Sequence, residues 1–173
     1  RLLDARYHTF LRATESVFVT LNPSKKLFLT RAKEYLEPAD GLRYKVFEIN
    51  VCNSCGAAYL TGELNAVTGC LEQSSKPDSK DVFYLGESAS NTDEDGEADE
   101  STDQPGRICA ICGHFQRTNV RSATSCEHDV RFKVPVVRLK TRGPDHRVKK
   151  CVCCEAVNNY GILRSFFTGQ EAV

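Results

Sequence analysis

The sequence predicts a mainly β fold with a short N-terminal helix, an α+β arrangement of small sheets pinned at cysteine turns and interrupted by a disordered acidic loop. Short runs rich in β-branched and aromatic residues alternate with Gly, Pro and Asn, one helical periodicity stands at the start, and nine cysteines gather mostly at turns. At 173 residues there is room for one ordinary domain or two small ones. A hydrophobic content of 40% permits a core, yet Trp and Met are both absent, so the core is modest and staples would help to hold it.

Leu3, Tyr7, Phe10 and Leu11 recur at helical spacing with charged residues between them, which predicts an amphipathic helix over residues 2–15. His8 on that helix reads as surface or filler rather than as a ligand or base. Residues 17–23 and 26–31 predict the strands of a hairpin turned through Asn22, Pro23 and Ser24. Residues 44–51 alternate apolar and polar positions and run into Cys52-Asn-Ser-Cys55-Gly56, after which residues 57–61 return as a strand. Residues 73–80 and 86–106 have the composition of loop. The second stretch holds Glu87, Asp93, Glu94, Asp95, Glu97, Asp99, Glu100 and Asp103 without one basic residue, and cannot bury enough apolar surface to offset its ordering entropy. It reads as a solvated linker in preference to an acidic decoy folded over a basic groove. Residues 130–140 alternate basic and apolar positions at both ends, as a strand with one solvated face would, and Pro135 predicts a sheet edge. From Tyr160 the chain reads as a strand, a turn at Gly169 and the first residues of a helix. It begins with Arg and ends at Glu171-Ala-Val173, as a piece of a longer polypeptide would.

A Cys-x-x-Cys pair followed by Gly is the shape of a zinc knuckle. Two intervening residues let one tight turn present both thiolates to one ion, and Gly relieves the crowded backbone behind them. Cys52/Cys55 and Cys109/Cys112 fit this pattern, Cys151/Cys154 repeats the spacing, and Cys126-Glu-His128 adds a further pair. Nine cysteines is an odd count, and neither a signal peptide nor an apolar run long enough to span a bilayer is visible, which favours metal ligands over disulfides, a cytoplasmic location and no membrane partner. Four pairs supply eight ligands, enough for one or two structural Zn2+ ions. Three pairings are open. Cys109/Cys112 with Cys151/Cys154 leads, because the strand over residues 130–140 can return the second knuckle beside the first as in a ribbon; Cys109/Cys112 with Cys126/His128 competes through its shorter loop. Cys70 and Cys153 are left over, although Cys153 can replace a neighbour. The predicted organisation is residues 1–72 as helix, hairpin and first knuckle; 73–106 as loop, disordered from 86; and 107–173 as a zinc-ribbon-like segment with a basic strand.

A catalytic zinc is disfavoured, since no His is followed by x-Glu as in zinc deaminases and His-Glu-x-x-His is absent. No Gly-rich phosphate loop, nucleophile elbow or dinucleotide fingerprint occurs, so this segment itself reads as no enzyme. The formal charge of zero hides an asymmetry: residues 1–104 hold 18 acidic and 11 basic side chains, residues 105–173 hold 5 and 12. Arg131, Lys133, Arg138, Lys140, Arg142, Arg147, Lys149 and Lys150 precede the last knuckle, and such a stripe suits nucleic-acid phosphates.

Residues 6–19 (Arg-Tyr-His-Thr-Phe onward), 46–62 (Val-Phe-Glu-Ile-Asn-Val-Cys-Asn-Ser-Cys-Gly-Ala-Ala-Tyr-Leu-Thr-Gly), the late knuckles and residues 163–172 together resemble the cysteine-rich region of large bacterial DEAD/DEAH-box helicases of superfamily 2, the type with a C-terminal zinc-binding domain found in DNA-repair and phage-defence helicases. The resemblance implies a zinc-binding accessory segment that shapes or contacts the nucleic-acid path, with DNA and the adjacent helicase domains as partners. ATP and Mg2+ would belong to motor domains elsewhere in the parent. Members of that group often carry another Cys-x-x-Cys a few residues before the Phe-Glu strand. Here residues 40–45 lack cysteine, so the Cys52/Cys55 site takes other ligands or has lost its metal. The alternative reading is a zinc-stabilised protein-interaction module without nucleic-acid binding.

Overall fold

A computed structural model describes residues 16–29, 34–38, 41–74, 81–87, 103–118, 126–140 and 147–164. Among them the expected α+β composition is overturned. Every strand pair is antiparallel, and the single helical element is a 3-10 turn, Val130–Phe132. The helix expected over residues 2–15 lies outside the described residues, as do Arg142, most of the acidic stretch and the last nine residues.

The chain opens with the expected hairpin, β1 (Val17–Val19) and β2 (Leu27–Phe28), in which Phe18 faces Phe28. β3 (Tyr35–Leu36) and β4 (Tyr44–Lys45) form a separate two-stranded ribbon. β5 (Phe47–Cys52) and β6 (Ala58–Leu64) flank the first knuckle; β7 (Leu71–Glu72) and β8 (Asp81–Leu85) follow. β9 (Gln104–Cys109) and β10 (Phe115–Arg117) flank the second knuckle, and β11 (Lys133–Leu139) and β12 (Leu163–Arg164) complete the set. Instead of small sheets, ten of these strands share one, in the order β10-β9-β11-β8-β6-β5-β1-β2, with β12 on β5 and β7 on β6. The path also returns on itself. A Cys70–His114 bridge, flanked by hydrogen bonds from Leu71 N–H to Gly113 O and from Phe115 N–H to Gly69 O (both 2.9 Å), joins β7 to β10.

Alternation along the strands gives each face its own core. Leu60, Phe83, Ile108, Phe115 and Val136 lie on one face, joined by Phe47, Leu71 and Phe132; Tyr59, Val82, Val137 and Leu139 lie on the other with Val148 and Ile162. Fully burying such side chains contributes roughly 1.5–3 kcal/mol each. β8 and β11 are therefore apolar on both faces, and β11 is an interior strand between β9 and β8 rather than the edge that Pro135 suggested. Pro135 is tolerated because the β8 ladder begins only at Val136, opposite Leu85. β9 likewise starts at Gln104, inside the stretch read as loop.

Gly106 is required by close approach. Phe115 packs edge-on against Phe83, with centroids 5.0 Å apart, and a Cβ at position 106 would stand 2.5 Å from both Phe115 Cε2 and Gln116 O. Gly106→Ala should lower stability by about 1–3 kcal/mol through overpacking, read as a fall in the denaturant midpoint of the metal-loaded protein with an unchanged slope.

Candidate metal centres

Three turns of this chain share one backbone design. In each, the residue after the second Cys returns its N–H to the carbonyl of the first: Gly56 to Cys52 at 2.9 Å, Gly113 to Cys109 at 2.8 Å and Glu155 to Cys151 at 3.0 Å. In each, the first Cys donates its own N–H onward, to Ala57, His114 and Ala156 respectively. The hinge residue sits at positive φ every time, +74° at Gly56, +81° at Gly113 and +58° at Glu155, so the third turn achieves with a side chain what the others achieve with glycine.

The knuckles assemble into two four-ligand sets, Cys52, Cys55, Cys151 and Cys154 in one and Cys109, Cys112, Cys126 and His128 in the other, with the ligand atoms of each set within 4.8 Å of one another. Both sets can bind metal ions such as zinc. Cys52 and Cys154 sulfurs lie 3.9 Å apart, and those of Cys55 and Cys151 3.8 Å. A tetrahedron with metal–sulfur bonds of about 2.3 Å has edges of roughly 3.8 Å. In the other set Cys109 Sγ lies 3.6 Å from His128 Nδ1, again the edge expected for a mixed sulfur–imidazole tetrahedron of about 2.3 and 2.0 Å bonds.

The leading pairing, Cys109/Cys112 with Cys151/Cys154, is not formed; the competing local pairing is. The cause lies in the sheet. β12 pairs with β5 so that Leu163 faces Cys52, and Ile162 O accepts from Asn53 N–H at 3.0 Å, laying the Cys151 hairpin beside the first knuckle. The Cys109 turn instead rests at the opposite end of β5: Ala110 O accepts from Lys45 N–H at 2.9 Å, and Gly113 lies against Phe47. Phe47 and Cys52 are five strand steps apart, about 17 Å at 3.4 Å per residue. Cys151 and Cys154 thus complete the Cys52/Cys55 set. Cys153 is exposed and Cys70 half-buried, and neither belongs to a set.

Each set is continuous with one core, Cys52 and Cys151 with the Tyr59 face, Cys109, Cys112 and Cys126 with the Phe83 face. Crowded sulfur makes the thiols unequal. The Cys112 side chain, aided by backbone N–H groups, brings Cys109 down to about 5, while hydrogen bonding to Cys109 and burial push Cys112 far up. Burial raises Cys151, but the Tyr59 hydroxyl and the Cys154 and Cys153 N–H groups outweigh it and bring this thiol down to about 6. For Cys55 the Ala57 N–H favours the thiolate, yet burial and the sulfurs of Cys154, Cys52 and Cys151 push it up to about 12. Cys109 and Cys151 ionise readily while Cys112, Cys126, Cys55 and Cys154 resist, so filling a set with a dication expels protons.

Tyr59 is the residue that sequence reasoning missed. Its buried hydroxyl stands 3.1 Å from Cys151 Sγ and accepts from Val152 N–H at 3.1 Å. A tyrosine on the strand leaving a knuckle was the available signal.

The expected basic stripe is divided. Arg131, stacked 4.7 Å over the Phe132 ring, and Lys133, opposite Cys109, stand at one end of β11. Arg138 is held by Asp81 through contacts of 2.8 and 3.2 Å. At the far end Lys140, Arg147, Lys149 and Lys150 line one cleft with Asp103, Leu139, Val148 and Val152. No helix among the described residues is long and apolar enough to cross a membrane.

Comparison with known families places residues 28–167 on the model of the YjiV N-terminal domain, a span that holds both ligand sets. The chain belongs to this family. No helicase family is among the matches, and no curated protein or solved structure matches the chain.

Two substitutions test the sites. Tyr59→Phe, which removes the hydroxyl contact to Cys151, should weaken metal affinity at the Cys52/Cys151 set by about 10-fold or more, measured by competition with a coloured chelator. Gly113→Ala should cost about 1–2 kcal/mol at its positive φ, whereas Glu155→Gly should leave the melting temperature equal or higher.

Proposed function

We propose that the chain is a structural two-zinc module, one ion held by Cys52, Cys55, Cys151 and Cys154 and the other by Cys109, Cys112, Cys126 and His128, and that it contacts nucleic acid as an accessory segment of an ATP-driven superfamily 2 helicase. The observation behind the metal assignment is the ligand spacing. Sulfur–sulfur separations of 3.8 and 3.9 Å suit a thiolate-rich tetrahedron, and Zn2+ is the borderline-soft dication that takes both an all-sulfur and a three-sulfur, one-nitrogen shell. Four protein ligands per set leave no open position for water or substrate, so the ions serve structure. By closing loops of 102 and 19 residues they fix strands that span most of the described chain.

The nucleic-acid part is supported by the basic cleft of Lys140, Arg147, Lys149 and Lys150 and by the resemblance of residues 6–19, 46–62 and 163–172 to the helicase region. ATP and Mg2+ would act only in motor domains of the parent. The alternative, an interaction module indifferent to nucleic acid, is favoured by the apolar edge of β2, where Leu27 is 63% and Leu29 52% exposed in this part of the fold.

Metal analysis of protein purified under reducing conditions should give two zinc ions per chain. Cys151→Ser and Cys109→Ser should each lower the count by one, and a count of one in the parent chain insensitive to Cys52→Ser would refute the two-site assignment. A titration with single-stranded DNA at 50 and 200 mM salt separates the readings: phosphate contacts give affinity that falls steeply with salt, and an interaction module gives no binding at either concentration.

A further inference from the structure

We infer that the hairpin carrying Cys151 and Cys154 recognises single-stranded nucleic acid, its exposed Tyr160 stacking on an unpaired base while Arg147 and Lys150 meet neighbouring phosphates. The inference rests on the proposed nucleic-acid contact and names the substrate class of that contact.

Tyr160 is 85% exposed, an unusual position for an aromatic ring whose surroundings are fixed. Its backbone is tied on both sides. Tyr160 N–H donates to Asn158 Oδ1 at 2.9 Å, and its carbonyl accepts from Arg147 Nη1 at 3.1 Å. Gly161 N–H donates to Asn158 O at 3.1 Å, Ile162 N–H to Val148 O at 2.8 Å and Asn158 N–H to Lys149 O at 2.9 Å. A Lys150–Val157 bridge closes the hairpin towards the cysteine set, which clamps its tip. A ring presented by such a turn has lost its backbone entropy before any ligand arrives.

The same hairpin supplies charge. The cleft beside it is lined, among the described residues, by Lys140, Arg147, Lys149 and Lys150 with the carboxylate of Asp103. Arg147 donates one N–H to the Tyr160 carbonyl, so one residue holds the backbone that carries the ring and lines the cationic cleft. Lys150 meets Glu155 at 3.6 Å, but the two side chains are 62% and 78% exposed, an ion pair that a phosphate displaces readily. Val152 and Val148 add an apolar floor. An exposed aromatic on a tied backbone, beside a cationic cleft with an apolar floor, is the composition of a stacking platform for single strands; in a duplex the base faces are already covered and the ring has nothing to meet.

The test uses the metal-loaded full chain and fluorescence anisotropy with a labelled 15-nucleotide single strand and the matching duplex. Tyr160→Ala should weaken single-strand binding by roughly 5- to 150-fold without changing the salt dependence or the duplex affinity, and Tyr160→Phe should restore it. Lys150→Gln should instead reduce the salt slope by about one. Because the chain has no tryptophan, Tyr160→Trp reports directly: its emission should be quenched by the single strand and not by the duplex. If Tyr160→Ala binds the single strand like the parent, or the Trp emission does not respond, the stacking inference is overturned while nucleic-acid contact stands. If neither oligonucleotide binds at 50 mM salt, both are overturned.

Discussion

Sulfur crowding is the constraint on which this structure depends. Four thiols in one set, and three with an imidazole in the other, lie within 4.8 Å of one another and cannot all ionise without a cation among them; Cys109 and Cys151 are already held low while Cys112, Cys126, Cys55 and Cys154 are pushed up. The strands bring the sulfurs together, and a metal ion turns that proximity from a cost into a clamp. Each cluster grows out of one of the two cores, so each face of the central sheet is finished by its own candidate metal centre rather than by a larger hydrophobic layer. A chain without Trp or Met has few other ways to finish two faces.

The candidate ligand pairs stood out in the sequence because close spacing, two residues between the cysteines of three pairs and one between Cys126 and His128, is a local signal complete within one turn. Their partnership was not, because it is decided by the β5–β12 register and by the position of the Cys109 turn near Lys45, neither of which leaves a mark in spacing. The same division runs through the fold. The β1–β2 hairpin and the strands around Cys52 were readable from alternation and turn residues. The interior strands were harder: Val82, Phe83, Tyr84 and Leu85 form an unbroken apolar run because both faces of β8 are covered, and the period of two that marks a half-buried strand disappears. Pro135 misled for a related reason, since it has a ladder partner on one side only, Arg107 of β9, and the β8 ladder begins one residue later at Val136.

Charge was the least transparent feature. Alternating Arg and Lys over residues 130–140 suggested one solvated stripe, but a strand of seven residues carries its two ends about 20 Å apart, and Arg138 between them is satisfied by Asp81. Lys140, Arg147, Lys149 and Lys150 come together where β11, the Arg147 segment and the Cys151 knuckle converge, which is a property of the fold and not of any short window.

The two centres differ in what they ask of the growing polypeptide. The Cys109 set spans 19 residues and is complete once His128 has been made, whereas Cys52 and Cys55 await partners 102 and 96 positions away. At ribosomal rates of about 5–20 residues per second the early pair is left with half a coordination shell for roughly 5–20 s. During that interval its sulfurs are open to oxidation or to a mistaken ion, and the arrival of the Cys151 hairpin is what ends the exposure.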